Sequence, residues 1–418
     1  MRSPIGMLIF FSFILLLDLY VFQSIKYLSA ENSGRNKSIL YIVYWSLTVY
    51  SILSFLMIFS GVQFVPKLLK VYIFSIAVGL LIAKLCGSLF FLVDDIRRLI
   101  QWITMTLFAQ KSQLRSGDAD AAINISRSTF LSWIGLGFGS GIFGVLLYGF
   151  GNKYRYQLVK QKIKFDNLPA SFKGLKIIHI SDIHSGSFTD TKAVELGIQK
   201  ILEHEADLIL FTGDLVNDLA SEMDSYKHVF SKLKAPMGVY SVLGNHDYGD
   251  YVQWPKDGLS KEQNLENLKN VHQEMGWRLL LNEHVVIEKN NETIAILGIE
   301  NWGAKARFPK YGRLDLAYEG AEKHPFKILM SHDPSHWKAQ VRNEYKDIDL
   351  MLSGHTHGMQ FGVELPGLKW SPIKYLYQEW AGLYEHEGKK LYVNRGFGFL
   401  GYPGRVGILP EITLLELV

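Results

Sequence analysis

Five short clusters in this sequence carry side chains able to hold metal ions. They are Ser181-Asp182-Ile183-His184, Gly213-Asp214-Leu215-Val216-Asn217-Asp218, Gly244-Asn245-His246-Asp247, Ser331-His332-Asp333 and Gly354-His355-Thr356-His357-Gly358. Taken singly, each reads as a turn. Taken together and in order, they supply carboxylate, imidazole and amide ligands in one stretch of chain. Two divalent cations roughly 3.5–4 Å apart can clamp the attacking and leaving oxygens of a displacement at phosphorus. Such a pair needs a bridging carboxylate and terminal His, Asp and Asn ligands. Residues one apart, as in Asp182/His184 and His355/His357, both reach inward when the chain bends after a strand. Glycines beside Asp214, Asn245, His355 and His357 let the backbone turn and approach closely. Cys86 is the only cysteine. It rules out an intramolecular disulfide and thiolate-built zinc sites.

The elements that must position these clusters follow from the apolar runs. Leu175–Ile180, Leu208–Thr212, Val239–Leu243, Thr293–Ile299, Lys327–Met330, Ile348–Leu352, Leu391–Asn394 and Ile412–Val418 read as buried strands. Thr191–Glu205 has helical spacing between two of them. Strands alternating with helices predict a sheet with helices on its faces. Ligands of such sheets bind beyond the carboxyl ends of the strands, where the clusters stand.

The series D-x-H, G-D, G-N-H-D, H and G-H-T-H resembles the calcineurin-like metallophosphoesterase superfamily over about residues 174–418. The resemblance implies an α/β fold, a four-layer α/β/β/α sandwich with a dinuclear metal centre. It implies that Asp182, His184 and His357 bind one metal, that Asp214 bridges, and that Asn245, His332 and His355 complete the second site. It places His246 near the substrate as the catalytic residue, stabilising the phosphoryl group and protonating the leaving oxygen, with Asp247 orienting it. The nucleophile it implies is a hydroxide bridging the metals, which Mn, Fe or Zn could supply. Together with apolar N-terminal spans and a closing Asn394-Arg395-Gly396-Phe397-Gly398, the pattern is similar to a membrane-bound branch of the superfamily. That branch includes relatives that cleave UDP-2,3-diacylglucosamine in lipid A synthesis.

The first third of the chain is of a different kind. Among its 418 residues the 13 histidines all lie after residue 151. Residues 1–151 hold 12 Lys/Arg and 6 Asp/Glu, leaving 32 basic and 34 acidic residues beyond. The later part has no basic excess, which argues against nucleic-acid binding. Four stretches are long and apolar enough to span a bilayer: 5–28, 38–66, 71–93 and 130–150. An all-α transmembrane domain of four helices is expected over 1–151, a linker over 152–173 and the metallophosphoesterase domain over 174–418. Asp18 and Lys84 interrupt two spans that run in the same direction, so they could pair at similar depth. Gly137, Gly141 and Gly144 suggest a small-residue packing face on the fourth span. Ile96, Leu99, Ile100, Ile103 and Leu107 suggest a separate interfacial amphipathic helix, with a loop over 116–128. Lys and Arg near the span ends divide eight against eight, so charge does not orient the protein. Ser126-Arg127-Ser128-Thr129-Phe130-Leu131 resembles a twin-arginine export signal with one arginine missing.

Substrate signals are coarser. The stretch 361–384 holds Trp370, Tyr375, Tyr377, Trp380 and Tyr384 with Leu368, Leu376 and Leu383, either a packed loop or an apolar rim beside the metals. Arg395 and Arg405 are candidates for contact with substrate phosphate. The expected partners are therefore membrane lipids and a phosphate-ester substrate, lipid-linked substrates among them. A broad phosphodiesterase acting on nucleotides or cell-envelope phosphates is the enzymatic alternative. A scaffold that keeps the fold without catalysis is the other.

Overall fold

The computed structural model describes residues 3–62, 64–108, 127–305 and 308–418. By its internal contacts the chain divides into two units, Met1–Tyr148 and Gly149–Val418.

The first unit is helical: α1 (Pro4–Leu28), α2 (Gly34–Phe59), α3 (Lys67–Phe108) and α4 (Arg127–Gly149). Four helices among the described residues are long and apolar enough to cross a membrane. Leu16 and Ile42 are each two-thirds exposed, as side chains facing lipid would be. Asp18 and Lys84 do pair: the Lys84 ammonium donates to Asp18 Oδ1. Tyr44 OH and Thr48 Oγ1, each at 2.9 Å, complete the cradle of that carboxylate. In apolar surroundings an ion so compensated is tolerable, whereas a lone one is not.

Two expectations for this unit are corrected. Gly137, Gly141 and Gly144 face open space, while a Cβ on Gly135 or Gly139 would lie 2.7 or 2.6 Å from the carbonyls of Gly87 and Ala83. The close contact between α4 and α3 therefore uses a Gly135/Gly139 pair, one helical turn apart, with small residues on both sides. The amphipathic stretch from Ile96 to Ile103 is no separate helix either. It continues α3, whose 42 residues make a rod about 63 Å long at 1.5 Å per residue, twice a bilayer core. Residues 116–126 of the expected loop, and Ser126 of the signal-like segment, lie outside the described residues.

The second unit has two six-stranded sheets. The first contains β1 (Gln157–Ile163), β2 (Leu175–Ile180), β3 (Leu208–Phe211), β4 (Val239–Ser241) and β5 (Arg278–Leu279). The second contains β6 (Glu283–Lys289), β7 (Glu292–Gly298), β8 (Lys327–Met330) and β9 (Leu350–Ser353). After β9 in sequence comes a two-stranded hairpin, β10 (Val363–Leu365) and β11 (Leu368–Trp370). Then β12 (Gly382–His386) and β13 (Lys389–Val393) join the second sheet, and β14 (Glu411–Leu417) returns to the first. The orders are β1-β14-β2-β3-β4-β5 and β12-β13-β9-β8-β7-β6. The parallel pairs β2/β3, β3/β4, β7/β8, β8/β9 and β13/β9 point a row of strand ends the same way within each sheet.

Alternation along the strands builds the layers. Ile177, Leu208 and Leu210 face Ile294, Ile296, Ile328 and Leu350 in the core between the sheets. Their neighbours Ile178, Ile180, Ile209 and Phe211 point the other way, onto α5 (Thr191–Leu202) through Val194, Ile198 and Ile201. The same core takes Val229 and Phe230 of α6 (Lys227–Phe230), and Leu268 and Val271 of α7 (Lys261–Glu274). On the far face of the second sheet, Ala295, Leu297, Leu329 and Met351 meet Leu314, Ala317 and Trp337. Three cores separate four layers, α/β/β/α. Asp190 caps α5 by accepting from Ala193 N at 3.1 Å, and a Ser260/Gln263 capping box starts α7.

The segment 152–173, expected as a linker, carries β1. That strand pairs in parallel with β14 from Gln157↔Glu411 to Ile163↔Leu417.

Candidate metal centre

The loops that follow β2, β3, β8 and β9, and the loop after β4, converge at one end of the sheets. They bring Asp182, His184 and His357 into one group and Asp214, His332 and His355 into another, with ligand atoms in each group all within 4.8 Å. In the first, His184 Nε2 stands 3.0 Å from His357 Nε2, which is 3.3 Å from Asp182 Oδ1. Asp214 Oδ2 lies between the groups, 3.5 Å from His184 Nε2 and 3.2 Å from His332 Nε2. Asn245 joins the second group through its Oδ1, 2.8 Å from His355 Nδ1.

The backbone there is bent by design of the loops. Asp182, His184, Asp214, His355 and His357 all have positive φ, from 48° to 71°. Non-glycine residues in that region cost about 1–3 kcal/mol each and persist only where surroundings over-determine them. Two glycines show how tight the surroundings are. A Cβ on Gly354 would lie 1.8 Å from Ser181 Oγ, and one on Gly244 would lie 2.2 Å from Asp214 Oδ1.

Asp247 does not touch the His246 ring, contrary to the orienting role expected for it. Its carboxylate accepts from the backbone N–H groups of Gly244 (2.8 Å), Asp214 (2.9 Å) and Leu215 (2.8 Å). It pins the Asp214 turn instead. The Asn217 carbonyl orients His246, accepting from Nδ1 at 2.8 Å, so Nε2 is the atom free to exchange a proton. Asp214 Oδ1 in turn accepts from His246 N at 2.8 Å.

The donor set fits a cation. His332 Nδ1 donates to the Thr212 carbonyl at 2.7 Å, so its Nε2 presents a lone pair. That Nε2 is buried without a hydrogen-bond partner and faces the Asp214 carboxylate. Two buried acceptors that face each other require a positive species between them. In its absence a proton must serve. Burial alone would lower the His332 imidazole, yet the charge of Asp214 overcomes it and pushes the pKa up to about 10. Burial also raises Asp182 to about 6 and Asp247 to about 7, with the Asp214 charge adding to both. Burial would raise Asp214 too, but the charges of His332 and His246 hold it well below the carboxylate range.

A cavity of about 460 Å³ opens onto this cluster. His184, Asp214, Asn245, His246, His355 and His357 form its floor; Phe308, Ile373, Leu376 and Leu400 form an apolar wall. The two arginines expected at substrate are elsewhere engaged. Arg395 donates through Nε to Glu364 at 3.0 Å and through Nη1 to Glu411, and it does not line the cavity. Arg405 is fully buried beneath the site, where it donates to the carbonyls of Arg395 (2.7 Å) and His357 (3.3 Å). Sequence reading missed Asn217, whose Oδ1 accepts from His184 Nδ1 at 3.1 Å. It also missed the Tyr377 hydroxyl, 2.9 Å from His355 Nε2. Tyr377 stood out only as one aromatic among several.

Comparison with known proteins agrees with both units. Residues 1–152 match the family described as "Probable Calcineurin-like phosphoesterase, transmembrane domain", and residues 175–359 match "Calcineurin-like phosphoesterase". The chain is 29% identical over 317 residues to "Transmembrane protein with metallophosphoesterase domain" of Danio rerio, covering 73% of this chain and 66% of that one. It is thus similar to just under two thirds of that relative's length. It is 30% identical over 308 residues to "Uncharacterized metallophosphoesterase YkuE" of Bacillus subtilis (strain 168), covering 70% of this chain and 98% of that one. It is also 30% identical over 271 residues to "Phosphodiesterase YaeI" of Escherichia coli (strain K12), covering 63% and 88%. The chain belongs to the calcineurin-like metallophosphoesterase family, in a form that carries a four-helix transmembrane domain. It is a multi-pass membrane protein.

Proposed function

We propose that this protein is a membrane-anchored, metal-dependent phosphoesterase that hydrolyses a phosphate ester or pyrophosphate bond. The observation that carries the reading is the buried pair of groups joined by Asp214 Oδ2, with the bare His332 Nε2 facing it. Asp182, His184 and His357 would hold one divalent cation, Asn245, His332 and His355 the other, and Asp214 both. Bound there, such cations supply charge stabilisation at the phosphoryl oxygens and a lower pKa for water. The chain's own residues do the rest. His246, with Nδ1 donating to the Asn217 carbonyl, would as an imidazolium carry a second proton on Nε2, give that proton to the leaving oxygen and end as the neutral Nδ1–H ring. Tyr251 packs on the His246 ring with centroids 4.6 Å apart, and its hydroxyl accepts from Asn245 Nδ2 at 2.9 Å, so both side chains are held in place.

The apolar wall of Phe308, Ile373, Leu376 and Leu400 favours a substrate with an apolar portion beside its phosphate. UDP-2,3-diacylglucosamine is one such compound; the names of the relatives point to phosphoesterase chemistry and to no particular lipid. Full-length protein loaded with Mn and given bis-p-nitrophenyl phosphate and a UDP-linked lipid tests both parts. Hydrolysis of either supports the phosphoesterase, and a preference for the lipid supports the apolar wall. Full metal occupancy with no hydrolysis of any phosphate ester would favour a binding scaffold.

A further inference from the structure

The hairpin β10/β11 is built inside out. Its register pairs Val363 with Trp370, Glu364 with Lys369 and Leu365 with Leu368. Residues directly opposite share a face, so the charged pair Glu364/Lys369 lies on one face and Val363, Leu365, Leu368 and Trp370 lie on the other. A hairpin on a soluble surface turns its apolar face to the body. Here the charged face is turned to the body: Glu364 takes the Arg395 guanidinium, and Lys369 donates to the Ala381 carbonyl while lying 4.7 Å from the Trp380 ring centroid. The apolar face is left outward at its tip, with Leu365 60% and Leu368 54% exposed, while Trp370 at its root is half-buried. Tyr375 and Leu376 nearby in sequence are 72% and 60% exposed, and the Lys374 ammonium lies 5.2 Å from the Tyr375 ring centroid. Of the aromatic stretch 361–384, Tyr377 and Trp380 are packed and these residues are not.

The root of the hairpin says what covers that face. Gly149 is the last residue of α4, a helix apolar enough to cross a membrane. Its carbonyl accepts from Arg405 N at 2.9 Å, and a Cβ there would strike the Tyr402 hydroxyl. The Phe150 and Tyr402 rings stand 5.4 Å apart. The same stretch holds the start of the hairpin: Gln360 Nε2 donates to the Tyr402 carbonyl at 2.8 Å, and Gly362 N donates to the Val406 carbonyl at 2.9 Å. The hairpin therefore springs from the segment that grips the chain where it leaves a span. Tyrosine, tryptophan and lysine around exposed leucines is the composition of the bilayer interface.

We propose that the tip of the β10/β11 hairpin, with Tyr375 and Leu376, is a membrane-contacting surface that sits in the interfacial layer of the bilayer. Leu376 also lines the cavity, so the test rests on positions 365, 368 and 375, which do not. Because Cys86 is the sole cysteine, Cys86→Ser gives a background for single probes. Leu365→Cys, Leu368→Cys and Tyr375→Cys, each in the full chain labelled with an environment-sensitive fluorophore, are placed in phosphatidylcholine vesicles with and without doxyl-labelled lipid. Asn270→Cys, on the exposed side of α7, is the water-facing control. Variants that keep the parent melting temperature are compared, and three positions guard against one failing to fold. The expected result is blue-shifted emission, quenched by shallow doxyl lipid, at 365, 368 and 375 but not at 270. Water-like, unquenched emission at the three positions overturns the proposal. So does blue-shifted emission that doxyl lipid leaves unquenched, since a protein partner or a second copy would then cover the face.

Discussion

Asp214 is the residue on which the site turns, because one carboxylate oxygen faces histidines of both groups. Asp214→Asn removes the charge that joins them and leaves the His332 lone pair facing a neutral amide. The expected outcome is loss of one or both metals, read by elemental analysis of the purified full chain. His246 is different. It lines the cavity and its Nδ1 is committed to a backbone carbonyl, so His246→Asn should keep metal content and lower turnover by about 10²-fold or more, as loss of a general acid does. Unchanged turnover would remove its assigned role. At this scale the sequence was informative where a side chain acts through its own ligand atom, as in D-x-H and G-H-T-H. It was uninformative where partners come from distant strands. Nothing near Arg395 announces Glu364 or Glu411, and nothing in G-N-H-D reveals that Asp247 serves four backbone amides rather than its neighbouring imidazole.

Elements place these residues through close backbone approach and through buried pairs. Gly354→Ala would drive a Cβ into Ser181 and against the Asp182 carboxylate. We expect destabilisation of about 2 kcal/mol or more, as for overpacking, together with weakened metal binding, measured by thermal unfolding with and without Mn. In the helical unit, Asp18→Asn strands the Lys84 ammonium in an apolar bundle. Breaking such a pair costs about 3–5 kcal/mol, so the yield of folded protein should fall, and the swap of Asp18→Lys with Lys84→Asp should recover part of it. A swap no better than the single changes would show that the pair does not matter. Strands buried on both faces, such as β2, β3, β8 and β9, read directly from their apolar runs. Strands β1 and β6 did not. Each is an edge strand with a polar, half-exposed sequence, held by a neighbour's backbone that no local pattern announces.

The whole molecule joins a helical unit apolar enough to cross a membrane to an α/β unit that carries the candidate site, and the histidines record that division. Those outside the metal centre include His179 and His272, both fully buried and lowered by that burial to about 3, and His336, lowered to about 4. The unfolded chain protonates these groups below about pH 6.5 while the folded one does not, so their depressed values cost stability as pH falls from there towards 4. At pH 5.5 the three together should cost about 4 kcal/mol, so His272→Gln should make metal-free protein lose less, or gain more, melting temperature than the parent between pH 7.5 and 5.5. The same change in both proteins would contradict the burial of His272 as a neutral ring. The central claim is that the two groups joined by Asp214 form one cation-dependent centre for phosphoester hydrolysis. Titrating metal-free, full-length protein with Mn while following bis-p-nitrophenyl phosphate tests it most directly. The account predicts no hydrolysis without metal and a rate that saturates near two equivalents per chain. Hydrolysis that ignores the metal, or none at full occupancy, would contradict it.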